Sequence, residues 1–312
     1  MSNVDRARWR SCWGSCVVSV VLALGEPTSA QAPPRGEVQT EPPPPPARPY
    51  SVPLLLRPLP AVNVVRFDTA IAPHDAYGPT DSGLELDVVQ LVTVGVRATD
   101  WLMVLARMGW DWTSRPSTAG MSNLVLGATL TTRIEEVFRL SGFVAVGLPL
   151  GTDGGGAPNH RGARLGRLAM DNALFLTDHV SGIGGLGFAW IDMGWTLQAE
   201  ATLLVFGRAE GTGDEAVVNS TFGVHVGYFL VPEVSVAGEL HHQHFVSDPG
   251  ALRTDPYGAE LRSQTSGTLG VRFHASIGSV WIRPALAWSI GLDPPLAGDA
   301  WQVLQLDVPV FF

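Results

Sequence analysis

From about residue 61 onward, the chain consists of segments in which apolar and polar side chains alternate. Trp195, Leu197 and Leu203, for example, fall on one side of an extended chain. Gln198 and Glu200 fall on the other side. No sustained helical period interrupts this pattern. A period of two over ten or more residues predicts long β-strands that each carry one apolar face.

Twelve such strands are predicted, and the connections between them alternate strictly between two or three residues and eight or more residues. A membrane β-strand needs about 9–11 residues with apolar side chains towards lipid and polar ones towards the lumen. The fold class predicted is therefore all-β, a twelve-stranded antiparallel transmembrane β-barrel with short periplasmic turns and longer extracellular loops. The predicted strands are 61–72, 84–98, 101–113, 122–133, 137–150, 174–190, 194–206, 217–230, 233–246, 263–275, 279–291 and 301–312.

A soluble β-sandwich is the main alternative, because its sheets could pack their apolar faces on each other. The tryptophans argue against it. Aromatic residues at both ends of the strands are typical of the interfacial girdles of membrane barrels. Those at predicted strand ends are Trp101, Trp110, Trp112, Trp190, Trp195, Trp281 and Trp301. The least well-defined strand is 174–190, which Asp178 and His179 interrupt.

The N-terminal 30 residues have the pattern of a secretory signal peptide. Three arginines precede an apolar run at 17–24, and small residues follow it, which predicts cleavage after Ala30. A transmembrane anchor is the alternative, but the run is shorter than the ~20 residues that a spanning helix needs. Both cysteines, Cys12 and Cys16, lie in this segment, so the mature chain is expected to contain no thiol.

Residues 31–60 contain the run Pro42 to Pro46 and six further prolines. Such a composition predicts an extended, disordered periplasmic spacer between the signal peptide and a barrel domain at 61–312. A binding role for the spacer is left open.

The basic residues are all arginine, 20 in number, and the chain has no lysine. This composition excludes a lysine Schiff base and a lysine-containing phosphate-binding loop. The net charge of −9 argues against nucleic acid as a partner, since phosphate binding needs a basic face. We expect no cofactor. The glycines at 154–156 lie in the longest predicted loop, where they form either a constriction of the barrel mouth or a mobile segment.

The last ten residues alternate without interruption and place five apolar side chains on one face. Together with the signal peptide, the proline-rich segment and the strand pattern, they resemble bacterial outer-membrane β-barrel proteins. More loosely, the chain resembles barrels grouped with phenol-pathway outer-membrane transporters. The resemblance implies an outer-membrane location in a Gram-negative bacterium, contact with its lipid, and a last strand that pairs with the first. It also implies that the barrel-assembly machinery recognises Leu304, Leu306, Val308, Val310 and Phe312.

Strand parity predicts which charged side chains face the lumen. The mixture of signs suits a narrow channel or a barrel closed by ion pairs. Passive diffusion of small solutes through this lumen is the predicted function, and a structural envelope barrel without transport is the alternative. The oligomeric state is left open. The lumen-lining candidates are Arg66, Arg107, Glu200, His225, Glu239, Arg272, Arg283 and Asp307.

Two hairpin turns predict pairs among these side chains. The tight connection at 231–232 predicts that His225 and Glu239 lie opposite or diagonal to each other. The turn at 277–278 predicts that Arg272 directly faces Arg283. Two opposed arginines need an anion or a carboxylate between them. The carboxylate candidates are Asp307 and Glu233.

Neither a catalytic residue nor a metal ligand is predicted. His274-Ala275-Ser276 has the His-x-Ser spacing of outer-membrane lipid hydrolases, to which the predicted fold is similar. However, it lies at the short-turn end, whereas the outer-leaflet ester lies at the other. In the run 241–244, alternation puts His241 on the opposite face from His242 and His244, so a metal site there would need ligands from elsewhere.

Overall fold

The computed structural model describes residues 49–75, 84–114, 117–152, 172–177, 179–209, 216–247, 262–294, 296–298 and 301–312. The predicted signal peptide at 1–30, its cleavage site and most of the proline-rich segment lie outside the described residues, as do the glycines at 154–156. No helix in the described part of the chain is both long and apolar enough to cross a membrane.

The described residues form β-strands and one short helix. The first strands are β1 (Val64–Asp75), β2 (Leu84–Arg97), β3 (Leu102–Ser114), β4 (Ser117–Met121), β5 (Leu124–Arg133) and β6 (Phe138–Leu148). After helix α1 (Asn172–Phe175) come β7 (His179–Asp192), β8 (Trp195–Arg208), β9 (Val217–Val231), β10 (Val234–Phe245) and β11 (Ser263–Phe273). The last are β12 (Ala275–Ile277), β13 (Val280–Ile282), β14 (Ala285–Gly291) and β15 (Gln302–Phe311).

The sheet closes into a barrel because β1 pairs with β15 as well as with β2, with Val64 opposite Phe311 and Ile71 opposite Leu304. All of the pairings are antiparallel. Three of the barrel strands are each divided into two segments by a short interruption. β4 and β5 form one of these strands, β11 and β12 the second, and β13 and β14 the third. The 15 segments therefore make twelve barrel strands, which confirms the predicted fold class.

Two predicted boundaries were wrong. The predicted loop 114–121 contains β4, which extends the hairpin of β3 beyond the interruption at 122–123. The predicted strand 174–190 begins only at His179, because residues 172–175 form α1 instead. Leu174 of α1 is buried inside the barrel, and the side-chain amide of Asn123 donates from Nδ2 to the Leu176 carbonyl at 2.7 Å. The packing of Leu174 in the lumen is thus more important for the conformation of residues 172–175 than the alternating pattern that predicted a strand there.

Side chains are distributed with apolar groups outside and polar groups inside. Leu186 and Leu269 on the outer face are 67% and 73% exposed, whereas Gln198 and Asn219 on the inner face are almost fully buried. This is the distribution of a membrane barrel rather than of a sandwich. Trp301 was wrongly assigned to the aromatic girdle. It is buried inside, in a cluster with Leu174, Leu296 and Val303 at the long-loop end.

Candidate functional site

The barrel interior at the short-turn end is occupied by the chain itself. Residues 50–59, which we call the lumen segment, precede β1 and lie within the barrel. Val52, Leu54, Leu56 and Leu59 are each no more than 2% exposed. This part of the proline-rich region is therefore not the extended periplasmic spacer that its composition predicts. The signal that could have revealed it is the run of three leucines at 54–56, because a solvated spacer has no need of buried side chains.

The lumen segment enters and leaves at the same end of the barrel. Ser51 donates its backbone N–H to Thr196 Oγ1, at the start of β8, at 3.0 Å. The Tyr50 hydroxyl donates to Gln198 Oε1 at 2.8 Å and accepts from the backbone N–H of Leu59 at 3.2 Å. Its two ends thus lie together near the short turns, and its middle reaches roughly half-way along the strands.

Arginines from the wall bind the carbonyl groups of the lumen segment. Arg66 on β1 donates to the carbonyl oxygens of Pro53, Leu54 and Leu56. Arg272 on β11 donates from Nε to the Val52 carbonyl at 3.1 Å and from Nη2 to the Pro53 carbonyl at 3.0 Å. Buried carbonyl groups must find donors inside the protein, and guanidinium groups supply several donors each.

Carboxylates from the wall bind the amide groups. Glu239 on β10 accepts the backbone N–H of Leu54 on Oε1 at 2.5 Å and that of Leu55 on Oε2 at 2.8 Å. Glu200 on β8 accepts the backbone N–H of Arg57 at 3.1 Å. Hydrogen bonds to charged groups are shorter and roughly twice as strong as neutral ones.

The two arginines that bind the carbonyls share one carboxylate. Arg66 Nε lies 2.7 Å from Asp307 Oδ1, and Arg272 Nη2 lies 2.5 Å from Asp307 Oδ2. The three side chains come from β1, β15 and β11, and each is less than 10% exposed. Asp307 therefore compensates two buried positive charges at the level of the lumen segment.

His225 and Glu239 form a buried pair across the β9–β10 hairpin. The two residues lie directly opposite each other, which is one of the two registers that the turn at 231–232 allows. His225 Nδ1 is 2.8 Å from Glu239 Oε1, and neither side chain is more than 1% exposed. The histidine thus orients the carboxylate that binds the lumen segment.

The predicted pairing of Arg272 with Arg283 was wrong. Arg272 lies opposite Ala285, because the turn residues are Gly278 and Ser279 and not Ile277 and Gly278. Gly278 has φ +61°, a conformation that glycine adopts without strain and that two-residue hairpin turns require.

Arg283 instead contributes to the closure at the short-turn end. Its Nη1 donates to the Tyr50 carbonyl at 3.2 Å, and its own carbonyl accepts from Arg272 Nη1. Of the two predicted carboxylates, Asp307 contacts Arg272, whereas Glu233 is exposed at the turn between β9 and β10.

Glycines in the wall receive the side chains of the lumen segment. A Cβ atom added to Gly223 would overlap Leu56, and one added to Gly227 would overlap Ser51. At Gly270 it would lie 2.8 Å from Leu54 Cδ1, and at Gly187 it would lie 2.8 Å from Leu59 Cδ2. Each distance is too short for an undistorted contact. The wall is therefore shaped for these side chains.

Above the lumen segment lies a cavity that is partly open to solvent. The lumen segment and α1 both contribute to its walls. Its lining is largely apolar, with Leu56, Met103, Phe143 and Leu204 among its members. Its charged and titratable lining residues are Arg57, Arg66, Asp68, Arg107, Glu200 and His241.

The histidine motifs have local partners. His274 Nε2 is 2.9 Å from Ser235 Oγ, whereas Ser276 is exposed. His242 and His244 pair with Thr265 and Ser263 on β11, and His241 lines the cavity. Within the described residues, no group of three or more His, Cys, Asp and Glu side chains is arranged to hold a metal ion.

The five residues of the proposed assembly signal lie at alternate positions, four on the outer face of β15 and Phe312 directly after its end. Leu304, Leu306 and Phe312 are between 44% and 59% exposed. Val308 and Val310 are half-buried, opposite Phe67 and Val65 of β1.

No protein family and no curated protein matches the sequence. Solved structures do match the fold. An outer membrane channel described as COG4313, from Pseudomonas putida F1, aligns with a TM-score of 0.51 at 14% identity, over 86% of this chain and 99% of that chain. The NanC porin aligns with a TM-score of 0.45 at 6% identity, over 78% of this chain and 98% of that chain. The likeness concerns the fold alone, which is that of bacterial outer-membrane β-barrels.

Proposed function

We propose that this chain is a channel of the bacterial outer membrane for the passive diffusion of small solutes, and that the lumen segment closes it in the state described. The observation that carries the proposal is the cavity itself, which the lumen segment bounds on one side. A barrel of twelve strands has a narrow lumen, and residues 50–59 fill it at the short-turn end. Displacement of residues 50–59 would therefore control whether the cavity continues to the short-turn end.

The cavity lining supports a particular kind of solute. Most of the lining side chains are apolar, while Arg107 and the ion pair of Arg57 with Glu200 supply charge. Binding sites of this composition hold an apolar body by burial and fix its orientation through a few polar groups. We therefore favour small organic solutes with an apolar body and a polar group over fully hydrophilic solutes.

The remaining parts of the proposal come from the sequence. They are export by a signal peptide cleaved near Ala30, insertion by the barrel-assembly machinery and contact with outer-membrane lipid. We assign no enzymatic reaction to the barrel. A structural envelope barrel without transport is the second candidate, and it is favoured by the filling of the lumen from both ends by the lumen segment and by the cluster around Leu174 and Trp301.

Planar-bilayer recording tests the channel against the structural barrel. The wild-type protein is compared with the variant Leu54→Asp/Leu56→Asp, in which two carboxylates would have to be buried among apolar groups for the lumen segment to bind. We expect a small conductance with rare openings for the wild type and a larger, persistent conductance for the variant. Absence of current from both proteins, with normal folding, would support the structural barrel.

A further inference from the structure

We infer that the lumen contains a binding site for short peptides in a bent conformation, and that residues 50–59 occupy it as an exchangeable, covalently attached ligand. The inference rests on the contacts within the lumen and holds whether or not the barrel conducts. It states which chemical groups of a peptide the barrel wall recognises. That recognition does not require the peptide to be covalently joined to β1.

The wall recognises mainly the main chain of its ligand. Arg66 and Arg272 bind four successive or nearly successive carbonyl groups, at residues 52, 53, 54 and 56. Glu239 and Glu200 bind three amide groups, at residues 54, 55 and 57. Main-chain groups are present in every peptide, so these contacts give affinity for any segment that adopts the same bent path.

Two further contacts continue the same pattern beyond the charged residues. Gln198 donates to the Arg57 carbonyl at 2.7 Å, and the Thr131 hydroxyl donates to the Leu59 carbonyl. The hydrogen bonds come from β1, β5, β8, β10 and β11. A ligand held from so many sides is held by a site and not by the packing of one neighbouring strand.

Side-chain specificity comes from the contacts of Arg57 with Glu200, Thr202 and the Phe143 ring, and from the glycines of the wall. Gly223 receives Leu56 and Gly270 receives Leu54, while Ala237, Ala285 and Ala287 surround Leu54. These small residues leave room for branched aliphatic side chains at alternate positions of the ligand. The preferred ligand is therefore a peptide that bends as residues 54–56 do and carries leucine-sized residues two positions apart.

The prolines of the lumen segment fit this type of recognition. Pro53 and Pro58 have no backbone N–H, so neither requires an acceptor within the lumen. Proline also fixes the backbone angle φ at these two positions in the free peptide, which lowers the entropy lost on binding. A ligand of the same chemistry supplied as a separate molecule should therefore bind to the wall.

Attachment of the natural ligand determines how this must be tested. A segment joined directly to the barrel acts at an effective concentration in the millimolar range, so a free peptide cannot compete with it. The full chain with Leu54→Asp/Leu56→Asp keeps every wall residue and alters only the attached ligand. The probe is a fluorescein-labelled synthetic peptide of residues 49–61 with the natural sequence.

Fluorescence anisotropy in detergent micelles measures the binding of this peptide to the refolded variant. We expect saturable binding that the unlabelled natural peptide displaces. A peptide that carries the two aspartates should bind at least about 100-fold more weakly, because it would bury two carboxylates. A peptide N-methylated at Leu54 and Leu55 should lose about 100-fold, because it cannot donate to Glu239.

Three results would overturn the inference: no binding of the natural peptide, equal binding of the peptide with two aspartates, or equal binding of the N-methylated peptide. Equal binding of the N-methylated peptide would show that the wall recognises only the side chains of its ligand. Empty micelles serve as the control for adsorption. A variant that conducts but binds no peptide contradicts this inference and leaves the channel proposal standing. A variant that binds the peptide but never conducts supports this inference and contradicts the channel proposal.

A second measurement uses the wild-type protein and does not depend on how the variant folds. Native-state hydrogen exchange should show the amides of Leu54, Leu55 and Arg57 protected relative to the free peptide. They should nevertheless exchange at least about tenfold faster than the paired amides of β9 and β10, since the lumen segment opens without the barrel. Exchange of these amides at the rate of the barrel strands would contradict an exchangeable ligand.

Discussion

Glu239 lies directly opposite His225 across the β9–β10 hairpin, and it binds two successive backbone amides of the lumen segment with its two carboxylate oxygens. The oxygen that accepts from Leu54 is also the one within 2.8 Å of His225 Nδ1. One hairpin thus carries both the group that holds the segment and the group that orients it.

Glu239→Gln should loosen the lumen segment without disturbing the barrel. The amide side chain has one acceptor oxygen instead of two and carries no charge. Loss of a charge-assisted hydrogen bond is worth about 1.5–3 kcal/mol, so the open fraction should rise roughly tenfold or more in single-channel records. Glu233→Gln, at the exposed turn of the same hairpin, is the matched control. Equal open fractions in the two variants would show that Glu239 does not hold the segment.

Asp307→Asn should destabilise the folded barrel. The substitution leaves Arg66 and Arg272 buried beside each other without their shared carboxylate. Breaking a buried ion pair by removing one partner costs about 3–5 kcal/mol, which should appear as a lower urea midpoint for unfolding in detergent. Asp100→Asn is the control, because Asp100 is 94% exposed and its contact with Arg97 is at the surface. A midpoint for Asp307→Asn equal to that of the control would mean that the arginines are not coupled through Asp307.

Arg283→Ala should raise the conductance with little change in ion selectivity. Arg283 binds the Tyr50 carbonyl at the entrance of the lumen segment, while Arg66 and Arg272 remain paired with Asp307. Bilayer recording with a salt gradient gives both quantities, and Arg97→Ala at the exposed end of β2 provides the comparison. A strong shift from anion towards cation selectivity would instead identify Arg283 as part of an anion filter.

Gly223→Val should displace Leu56 and favour the open state. The new side chain would occupy the space in which Leu56 lies, and both neighbouring strands of β9 restrict any backbone adjustment. Gly184→Val is the matched control, since nothing lies within 4 Å of a Cβ atom at Gly184. Chymotrypsin cleavage after Leu55 or Leu56, followed by mass spectrometry, should be faster in the first variant only. Similar cleavage rates in the two variants would show that the contact of Leu56 with Gly223 does not keep the lumen segment bound.

Deletion of Phe312 should impair assembly more than stability. Phe312 is 59% exposed and its backbone N–H bonds to the Asn63 carbonyl at 3.2 Å, so its loss removes few contacts. If the terminal aromatic is recognised during assembly, the deletion variant should accumulate in the periplasm and be degraded. Phe312→Tyr retains the aromatic ring and should reach normal levels in outer-membrane fractions. Normal levels of the deletion variant would separate this chain from the barrels that it resembles.

The alternation of side chains predicted most of the barrel because it is a local property of the sequence. It could not determine the register at the turn after β12. Moving the turn by one residue changes the pairing by two positions, which leaves every side chain on the same face. Arg272 therefore points inward in either register, and the observed pairing of β12 with β13 determines that its partner is Ala285 and not Arg283.

The lumen segment escaped prediction for a different reason. Its partners are distant in sequence: Leu54 and Glu239 are 185 residues apart, and Arg272 and Val52 are 220 apart. No local pattern contains that information, and proline-rich composition by itself favours a solvated spacer. The candidate charges Arg66, Glu239 and Asp307 were placed in the lumen by parity, but their shared ligand was not foreseen.

The ion pair between Arg66 and Asp307 joins the first barrel strand to the last, at a sequence separation of 241. Arg66 can bind the carbonyls of the lumen segment in this geometry only after β15 has completed the circle beside β1. The lumen segment precedes every strand in the chain, yet part of its docking site exists only where the last strand has paired with the first. The contacts of Arg66 with the lumen segment therefore depend on closure of the whole barrel.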